Sequence, residues 1–298
     1  MPPRILVAGA GGFIGSHIVL TAQARGIPVT GLLRTPNPRL KDIAVVQADL
    51  VASDLPPIVA HIRPSVIINA ASYGVGRDER DEMRMTEINV DAARKLRDAA
   101  KASNVARFVQ LGTYSEYGDH EGPVSENTPI APKEDYARTK ALASDLFMAH
   151  DNSPMEAVVL RLFNVWGPHE RPHRLLPQVI SHCRAGNRFP LTPGTQVKEW
   201  CYVEDVAAWI LDIALMDRPW PYRIVNLGSG VRLSVRDMAL AAARMLGGEH
   251  LLDFGAVQVP AKEVQTGRAD LTRIARLLPH RRLTDIRDGI AATIAATP

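Results

Sequence analysis

The stretch Arg4-Ile-Leu-Val-Ala-Gly-Ala-Gly-Gly-Phe-Ile-Gly15 determines how this chain begins to fold. Its apolar run Ile5–Ala8 is too short for a helix and glycines follow it, which is typical of a buried strand. Gly9, Gly12 and Gly15 are spaced by three, and the ten residues after them have the apolar spacing of a helix. Such a strand, turn and helix bind a pyrophosphate, because glycines allow close approach and the helix N-terminus favours negative charge. A plain strand-to-helix turn is the alternative. The residues expected to contact the cofactor here are Gly9, Gly11, Gly12, Phe13, Ile14 and Gly15.

Composition narrows the class of protein. The chain has 298 residues, 46% hydrophobic and 22% charged, which is ordinary for a globular protein. A net charge of +3 argues against a nucleic-acid partner, and no apolar run has membrane-spanning length. Cys183 and Cys201 lack metal-ligand spacing and predict buried thiols in a reducing compartment. We therefore expect a cytoplasmic protein that binds neither nucleic acid nor membrane and holds no metal.

Strands alternate with helical segments along the first two thirds of the chain. This alternation predicts an α/β fold, a Rossmann-type doubly wound parallel sheet whose ligand lies across the carboxyl ends of its strands. A smaller, interleaved substrate lobe is expected from 166–201 plus 229–298, and the dinucleotide-binding domain from 1–165 plus about 202–228. After the first strand, further strands are predicted at 28–33, 44–50, 66–71 and 108–113, with helices at 86–102 and from 136 to about 150.

The end of the second predicted strand bears on cofactor preference. Arg34 stands where many dinucleotide folds carry an acidic residue that binds the adenosine ribose. An arginine can pair with a 2′-phosphate that a carboxylate would repel, which favours NADP(H), with NAD(H) as the alternative. An exposed loop arginine without such a role is also compatible with the pattern. Asp49, followed by Leu50, is expected to face the adenine amino group, and the small residues after Asn69, Ala70 and Ala71, leave room for the cofactor.

Tyr136 and Lys140 are four residues apart and so share one face of a predicted helix. A phenol with a pKa near 10 carries protons poorly at neutral pH, but a neighbouring ammonium stabilises its phenolate. The pair therefore predicts acid–base chemistry on a substrate oxygen, with Thr113 at the end of the fifth strand as a hydrogen-bonding partner. An ordinary amphipathic helix face is the alternative for this spacing.

Together these residues resemble the extended short-chain dehydrogenase/reductase family, whose members act mostly on nucleotide sugars. The glycine loop, Asn69-Ala-Ala71, Thr113-Tyr-Ser-Glu-Tyr-Gly118 and Tyr136-x-x-x-Lys140 are similar to its motifs. The resemblance implies that Thr113, Tyr136 and Lys140 are catalytic and that Asn89 supports them. It implies that Arg161-Leu-Phe-Asn-Val-Trp-Gly-Pro168 contacts nicotinamide through Phe163 and substrate phosphate through Asn164. The residues expected to bind substrate are Thr113, Ser115, Asn164, Arg174 and Lys198. The family also implies a homodimer.

The sequence departs from the family pattern at three places. Lys198 stands where most members have an arginine near the diphosphate. The distal Arg-Pro-Gly-Asp segment has no clear match, so that Lys262 or Arg268 would have to replace its arginine. Tyr114 and Ser115 occupy the positions where the family's 4,6-dehydratases carry Asp and Glu, which argues against dehydration.

What remains is hydride transfer at one sugar carbon. We expect reduction of the 4-keto group of an NDP-4-keto-6-deoxyhexose, with Tyr136 as proton donor. An NAD-dependent NDP-sugar 4-epimerase is the alternative, since the same residues serve both reactions. Reduction of a non-nucleotide carbonyl compound is a further possibility. A dinucleotide sensor without chemistry is disfavoured because Thr113, Tyr136 and Lys140 are all present.

Overall fold

A parallel sheet of seven strands forms the centre of the computed structural model, which describes residues 3–76, 78–120, 122–148, 153–258 and 267–298. The five strands of its first part are β1 Ile5–Ala8, β2 Val29–Leu33, β3 Ala44–Gln47, β4 Val66–Asn69 and β5 Arg107–Thr113. The sheet also contains β7 Glu156–Leu162 and β12 Ile224–Leu227. Short strands outside it are β6 Pro123–Val124, β8 Val165–Trp166, β9 Phe189–Leu191, β10 Val197–Glu199 and β11 Cys201–Tyr202. The sheet order is β12-β7-β5-β4-β1-β2-β3, and every pairing in it is parallel. The predicted doubly wound parallel sheet is confirmed, and its strand order reverses between β1 and β4, where such sheets bind ligands.

Ten helices in the described residues cover the sheet and its C-terminal extension. They are α1 Phe13–Ala24, α2 Leu55–Ile62, α3 Glu82–Thr86, α4 Ala92–Ala102, α5 Asp135–Met148, α6 Leu175–Ala185, α7 Val203–Ala214, α8 Val235–Met245, α9 Thr272–Leu277 and α10 Ile286–Ala296. Shorter 3-10 turns lie at Pro38–Leu40, Tyr114–Tyr117 and Glu249–Leu251. The helix predicted from position 136 is α5, and its predicted end near 150 lies outside the described residues.

Three predicted elements differ from the structure by more than one residue at an end. The helix predicted at 86–102 begins earlier, at Glu82, and is interrupted by the π-helical turn Glu87–Asp91. Such turns insert one extra residue and are frequent at functional sites. The strands predicted at 44–50 and 66–71 end earlier, at Gln47 and Asn69. In both cases a side-chain oxygen accepts the backbone N–H two residues further along and starts a turn. Asp49 does this just after β3, and Asn69 does it at the end of β4.

Alternate residues of the central strands pack against two different helical layers. Ile5 and Val7 of β1 join the core with α1 and α7, whereas Leu6 and Ala8 join the core with α2 and α4. All four side chains are fully buried. A strand buried on both faces needs a continuous apolar run, which is why the first strand could be recognised from its sequence.

A third apolar core lies in the C-terminal part of the chain. Trp166, Trp200 and Met238 are among its buried members, with α6, α8 and α10 around them. Short strand pairs border this core: β8 with β11, β9 with β14 Leu252–Phe254, and β10 with β13 Arg232–Ser234. One more pair joins β6 to β15 Arg268–Ala269. This arrangement places Lys198 of β10 near the carboxyl ends of the strands of the main sheet.

Candidate active site

A large cleft, of about 680 Å³, runs along the carboxyl ends of the strands. That size suits a small-molecule site. Residues from β1, β2, β4, β5, β7 and α5, or from the loops that follow the strands, contribute to its walls. The sequence-predicted residues that line the cleft are Gly9, Gly11, Gly12, Phe13, Ile14, Arg34, Asp49, Leu50, Ala70, Ala71, Thr113, Ser115, Tyr136, Phe163, Asn164, Arg174 and Lys198.

The glycine loop leaves space for a ligand at the N-terminus of α1. Gly9 has a φ of +75°, and a Cβ there would lie 2.5 Å from the backbone nitrogen of Ala71. A Cβ at Gly15 would lie 2.2 Å from the carbonyl oxygen of Gly9, so that only glycine lets the helix and loop approach this closely. Gly12 is the N-cap of α1 and provides no capping side chain. These features fit a dinucleotide whose pyrophosphate lies on the first N–H groups of the helix.

Two charged residues stand at the end of the cleft beyond β2 and β3. Arg34 has a side chain that is 60% exposed, and its Nη1 lies 4.0 Å from Oδ2 of Asp49. Oδ1 of Asp49 accepts the backbone N–H of Val51 at 2.8 Å, which keeps the carboxylate in place. An arginine and a carboxylate therefore share this end of the cleft, a point that matters for the choice of cofactor.

Four sequence-predicted residues lie behind the cleft instead of lining it: Gly15, Asn69, Asn89 and Lys140. Asn69 accepts the N–H of Ala71 at 3.2 Å and donates to Gln110, which fixes the small residues of the cleft wall. Asn89, on the π-helical turn, accepts the N–H of Tyr73 at 2.9 Å and donates to Thr139 at 3.0 Å. It thereby joins the loop after β4 to α5, so its role in the structure is support.

Tyr136 lines the cleft on α5, and Lys140 lies one turn further along. Burial raises the pKa of Tyr136 to about 12. Burial also lowers the pKa of Lys140 to about 8, and its Nζ donates to the carbonyl of Leu111 at 2.6 Å. At neutral pH the phenol is therefore protonated, and the lysine one turn along α5 is a cation.

Thr113 ends β5 at the floor of the same cleft. Its Oγ1 donates to the hydroxyl of Ser115 and accepts the N–H of Ser115, both at 3.3 Å. This local turn holds the threonine hydroxyl at the mouth of the strand, where it can bond a substrate oxygen. Thr113, Ser115 and Tyr136 are thus brought together as the sequence predicts.

Ion pairs also line the cleft, and sequence reasoning missed their two acids, Glu79 and Glu170, while it expected Arg174 at the substrate. Glu79 accepts the N–H groups of Gly74 and Gly76, at 3.0 and 2.9 Å, and pairs with Arg171 at 2.9 Å. Glu170 pairs with Arg174 at 2.9 Å. The first pair joins two loops that are far apart in sequence, and no sequence motif marks it. These contacts give the open end of the cleft a rim of paired charges.

Tyr114 also lines the cleft, and its ring stacks on Phe163 with centroids 5.4 Å apart. It stands at one of the positions that in dehydratases of the family hold acids. Arg268 lies exposed on β15 and is not part of the cleft wall, and Lys262 lies outside the described residues. Neither residue is therefore placed at the substrate by the structure.

Two kinds of feature are absent from the described residues. No group of three or more His, Cys, Asp or Glu side chains in them could hold a metal ion. None of their helices combines the length and the apolar character needed to cross a membrane.

The glycine loop and the reversal of strand order are typical of a dinucleotide-binding fold, and Thr113, Tyr136 and Lys140 stand where the sequence predicts a catalytic set. The model of the NAD dependent epimerase/dehydratase family matches residues 5–228. The chain belongs to this family, and the resemblance inferred from its motifs is confirmed. It is an enzyme of the NAD-dependent nucleotide-sugar epimerase/dehydratase class.

Relatives of known name cover nearly the whole chain. A dTDP-glucose 4,6-dehydratase from Streptomyces griseus is 31% identical, with 99% of this chain and 94% of the relative aligned. The solved structure of MoeE5 in complex with UDP-glucuronic acid and NAD is 27% identical with a TM-score of 0.88, over 99% of this chain and 98% of that one. The UDP-glucose 4-epimerase of Thermus thermophilus, in complex with NAD, is 26% identical with a TM-score of 0.84, over 99% and 98%. Dehydration and epimerisation thus both occur among similar proteins.

Proposed function

We propose that the protein transfers hydride at C4 of a nucleotide sugar, and that it reduces the 4-keto group of an NDP-4-keto-6-deoxyhexose. The main observation in favour of this chemistry is that Thr113 and Tyr136 line the same cleft as the glycine loop. The observation that favours reduction with NADPH is the exposed Arg34 at the adenosine end of that cleft.

Tyr136, Thr113 and Lys140 each have a separate role in the proposed reaction. A bound nicotinamide supplies the hydride that reaches the C4 carbon. Tyr136 donates its proton to the C4 oxygen, so that the ketone becomes an alcohol. Burial raises its pKa to about 12, so the phenol holds its proton until negative charge develops on the C4 oxygen. Thr113 bonds the same oxygen as negative charge develops there, and the Lys140 cation stabilises the tyrosinate left after proton transfer.

Two positions argue for reduction over dehydration. Removal of water from a sugar needs an acid and a base near its C5–C6 bond, in addition to the hydride chemistry. Tyr114 and Ser115 replace the family's acidic pair, and the tyrosine ring is stacked on Phe163. Of the cleft carboxylates, Glu79 is held ionised: burial would raise its pKa, but two backbone N–H groups and Arg171 lower it, which makes this residue a poor proton donor.

The nucleotide part of the substrate is expected to bind where Asn164 and Lys198 line the cleft. We expect UDP, GDP, CDP or dTDP to raise the melting temperature, because a ligand that binds only the folded state stabilises it. Lys198→Met should lose most of this shift, while the exposed Lys41→Met should keep it. No shift with any of the four nucleotides would contradict the nucleotide-sugar assignment and favour a non-nucleotide carbonyl substrate.

NAD-dependent 4-epimerisation of a nucleotide sugar is the second candidate. One observation in its favour is that Asp49 lies next to Arg34, since the carboxylate of Asp49 would repel a 2′-phosphate. The other is that both solved relatives contain NAD. The same Tyr136 would then remove the hydroxyl proton and return it. NAD released in stoichiometric amount when the purified protein is denatured would favour this candidate over the reductase.

Arg34→Ala is expected to weaken NADPH binding at least tenfold, about 1.4 kcal/mol, and NADH binding much less. The reason is that the guanidinium would pair with a 2′-phosphate that only NADPH carries. Fluorescence titration of both reduced cofactors measures this. Arg188→Ala removes an arginine that is also exposed, 3.4 Å from Asp253 and outside the cleft, and should change neither affinity. Equal losses for NADPH and NADH would contradict the proposed role of Arg34.

The homodimer implied by the family stays a prediction.

A further inference from the structure

Glu116 is a fully buried acid directly beneath the end of β5, and the reaction described above does not use it. Its Oε1 accepts the backbone N–H of Thr113 at 2.8 Å. Its Oε2 accepts Nε–H of Arg161 at 2.8 Å, and the side chains of Glu116 and Arg161 are 0% and 3% exposed. A buried charge is costly unless it is paired and hydrogen-bonded, and this one meets both conditions.

The surrounding residues hold the carboxylate in one position. A Cβ at Gly112 would lie 2.6 Å from Oε1 of Glu116, so the glycine makes the space that the carboxylate occupies. The guanidinium of Arg161 also lies over the ring of Tyr117, 4.5 Å from its centroid. The hydroxyl of Tyr117 donates to Asn226 at 2.7 Å. The acid is therefore built into a buried network of hydrogen bonds and does not line the cleft.

Charged and titratable groups from three elements face Glu116. Arg161 approaches from β7, Lys140 and Tyr136 interact with it from α5, and Tyr117 belongs to its own turn. Burial raises the pKa of Glu116, while Arg161, the Thr113 N–H and Lys140 oppose that shift. Conversely, Glu116 opposes the effect of burial on Lys140, whose pKa is lowered to about 8. The carboxylate therefore helps this lysine to keep its proton.

We propose that Glu116 is a positioning residue, which fixes the backbone of Thr113 and supports the ammonium of Lys140, since the two side chains bond backbone atoms of β5 only two residues apart, the Thr113 N–H and the Leu111 carbonyl. This rests on the proposed use of Tyr136 and Lys140 in proton transfer. Without the carboxylate the buried lysine loses its proton at a lower pH, and a neutral amine no longer stabilises the tyrosinate. The catalytic tyrosine thus depends on an acid that does not touch the substrate.

Glu116→Gln tests the charge alone, because the glutamine carbonyl can still accept the Thr113 N–H. We expect the Lys140 titration midpoint, measured by NMR of ¹³C-labelled lysine, to fall by about one pH unit. The high-pH limb of kcat should move down by the same amount, and kcat at pH 8 should fall several-fold. Asp205→Asn is the matched control, because buried Asp205 on α7 also accepts a backbone N–H, that of Thr284 at 2.6 Å, and takes no part in the network around Glu116 described above. Neither the midpoint nor the limb should move in this control.

Loss of the carboxylate leaves Arg161 buried without its partner, and the single variant could be unstable for that reason. Glu116→Gln combined with Arg161→Met removes both charges and should fold. The lysine midpoint in this pair should stay below that of the wild type, since the nearby anion is still missing. An unchanged midpoint in both variants would overturn the proposal. A lowered midpoint in a protein that turns over no 4-keto nucleotide sugar would uphold the positioning of Lys140 and contradict the proposed function instead.

Discussion

Tyr136→Phe is expected to lower kcat about 10³-fold, the range of a lost general acid, while the variant still binds cofactor and nucleoside diphosphate. Phenylalanine keeps the ring in the cleft wall and removes only the hydroxyl that donates the proton. Cofactor titration and thermal shift measure binding, and single-turnover reduction of a 4-keto nucleotide sugar measures the chemical step. Tyr222→Phe removes a phenol outside the cleft, beside Arg273, and should leave kcat within about twofold, since it takes no part in the reaction.

The pH dependence of the wild-type reduction supplies an independent check on the same residue. Tyr136 must be protonated and Lys140 charged, and their pKa values are about 12 and about 8. The rate should therefore fall as the pH rises through about 8, when the lysine loses its proton, and not through the tyrosine. A Tyr136→Phe variant that keeps more than about a tenth of the wild-type rate would show that another group donates the proton.

The parts of the site that could be predicted from the sequence are those fixed by local order along the chain. A buried parallel strand needs a continuous apolar run, and the residues just after it must lie at one edge of the sheet. This placed the glycine loop, Arg34, Asp49 and Thr113 at the cleft without any knowledge of the loops. The four-residue spacing likewise placed Tyr136 and Lys140 on one face of α5.

What could not be predicted depends on contacts between segments distant in sequence. Glu79 meets Arg171, and Glu116 meets Arg161, only because loops and strands come together in the folded chain. Neither pair has a spacing that predicts it, although Glu116 lies within the Thr113–Gly118 motif. The π-helical turn around Asn89 is similar, because the hydrogen bonds of that asparagine to Tyr73 and Thr139 are tertiary contacts.

Gly15→Ala is expected to reduce cofactor affinity at least tenfold and to destabilise the protein without cofactor by about 1–3 kcal/mol. The new Cβ would lie 2.2 Å from the carbonyl oxygen and 2.8 Å from the carbonyl carbon of Gly9. Both are backbone atoms of the turn, so α1 must shift away from the loop it starts from. Alanine is otherwise the better helix residue, by about 1 kcal/mol, so a loss of stability reports the clash and not helix propensity.

Gly11→Ala is the control in the same loop. A Cβ there has its closest neighbours at 3.5 Å from Thr35 and 3.6 Å from Leu33, which are ordinary contacts. Urea unfolding without cofactor should show Gly11→Ala close to the wild type and Gly15→Ala below it, and titration with NADPH and NADH then measures binding in the folded fraction. If Gly15→Ala matches Gly11→Ala in stability, the helix and the turn are not held at the close distance on which the cofactor cradle depends. If it is destabilised but binds both cofactors as the wild type does, the turn is structural and the pyrophosphate lies elsewhere.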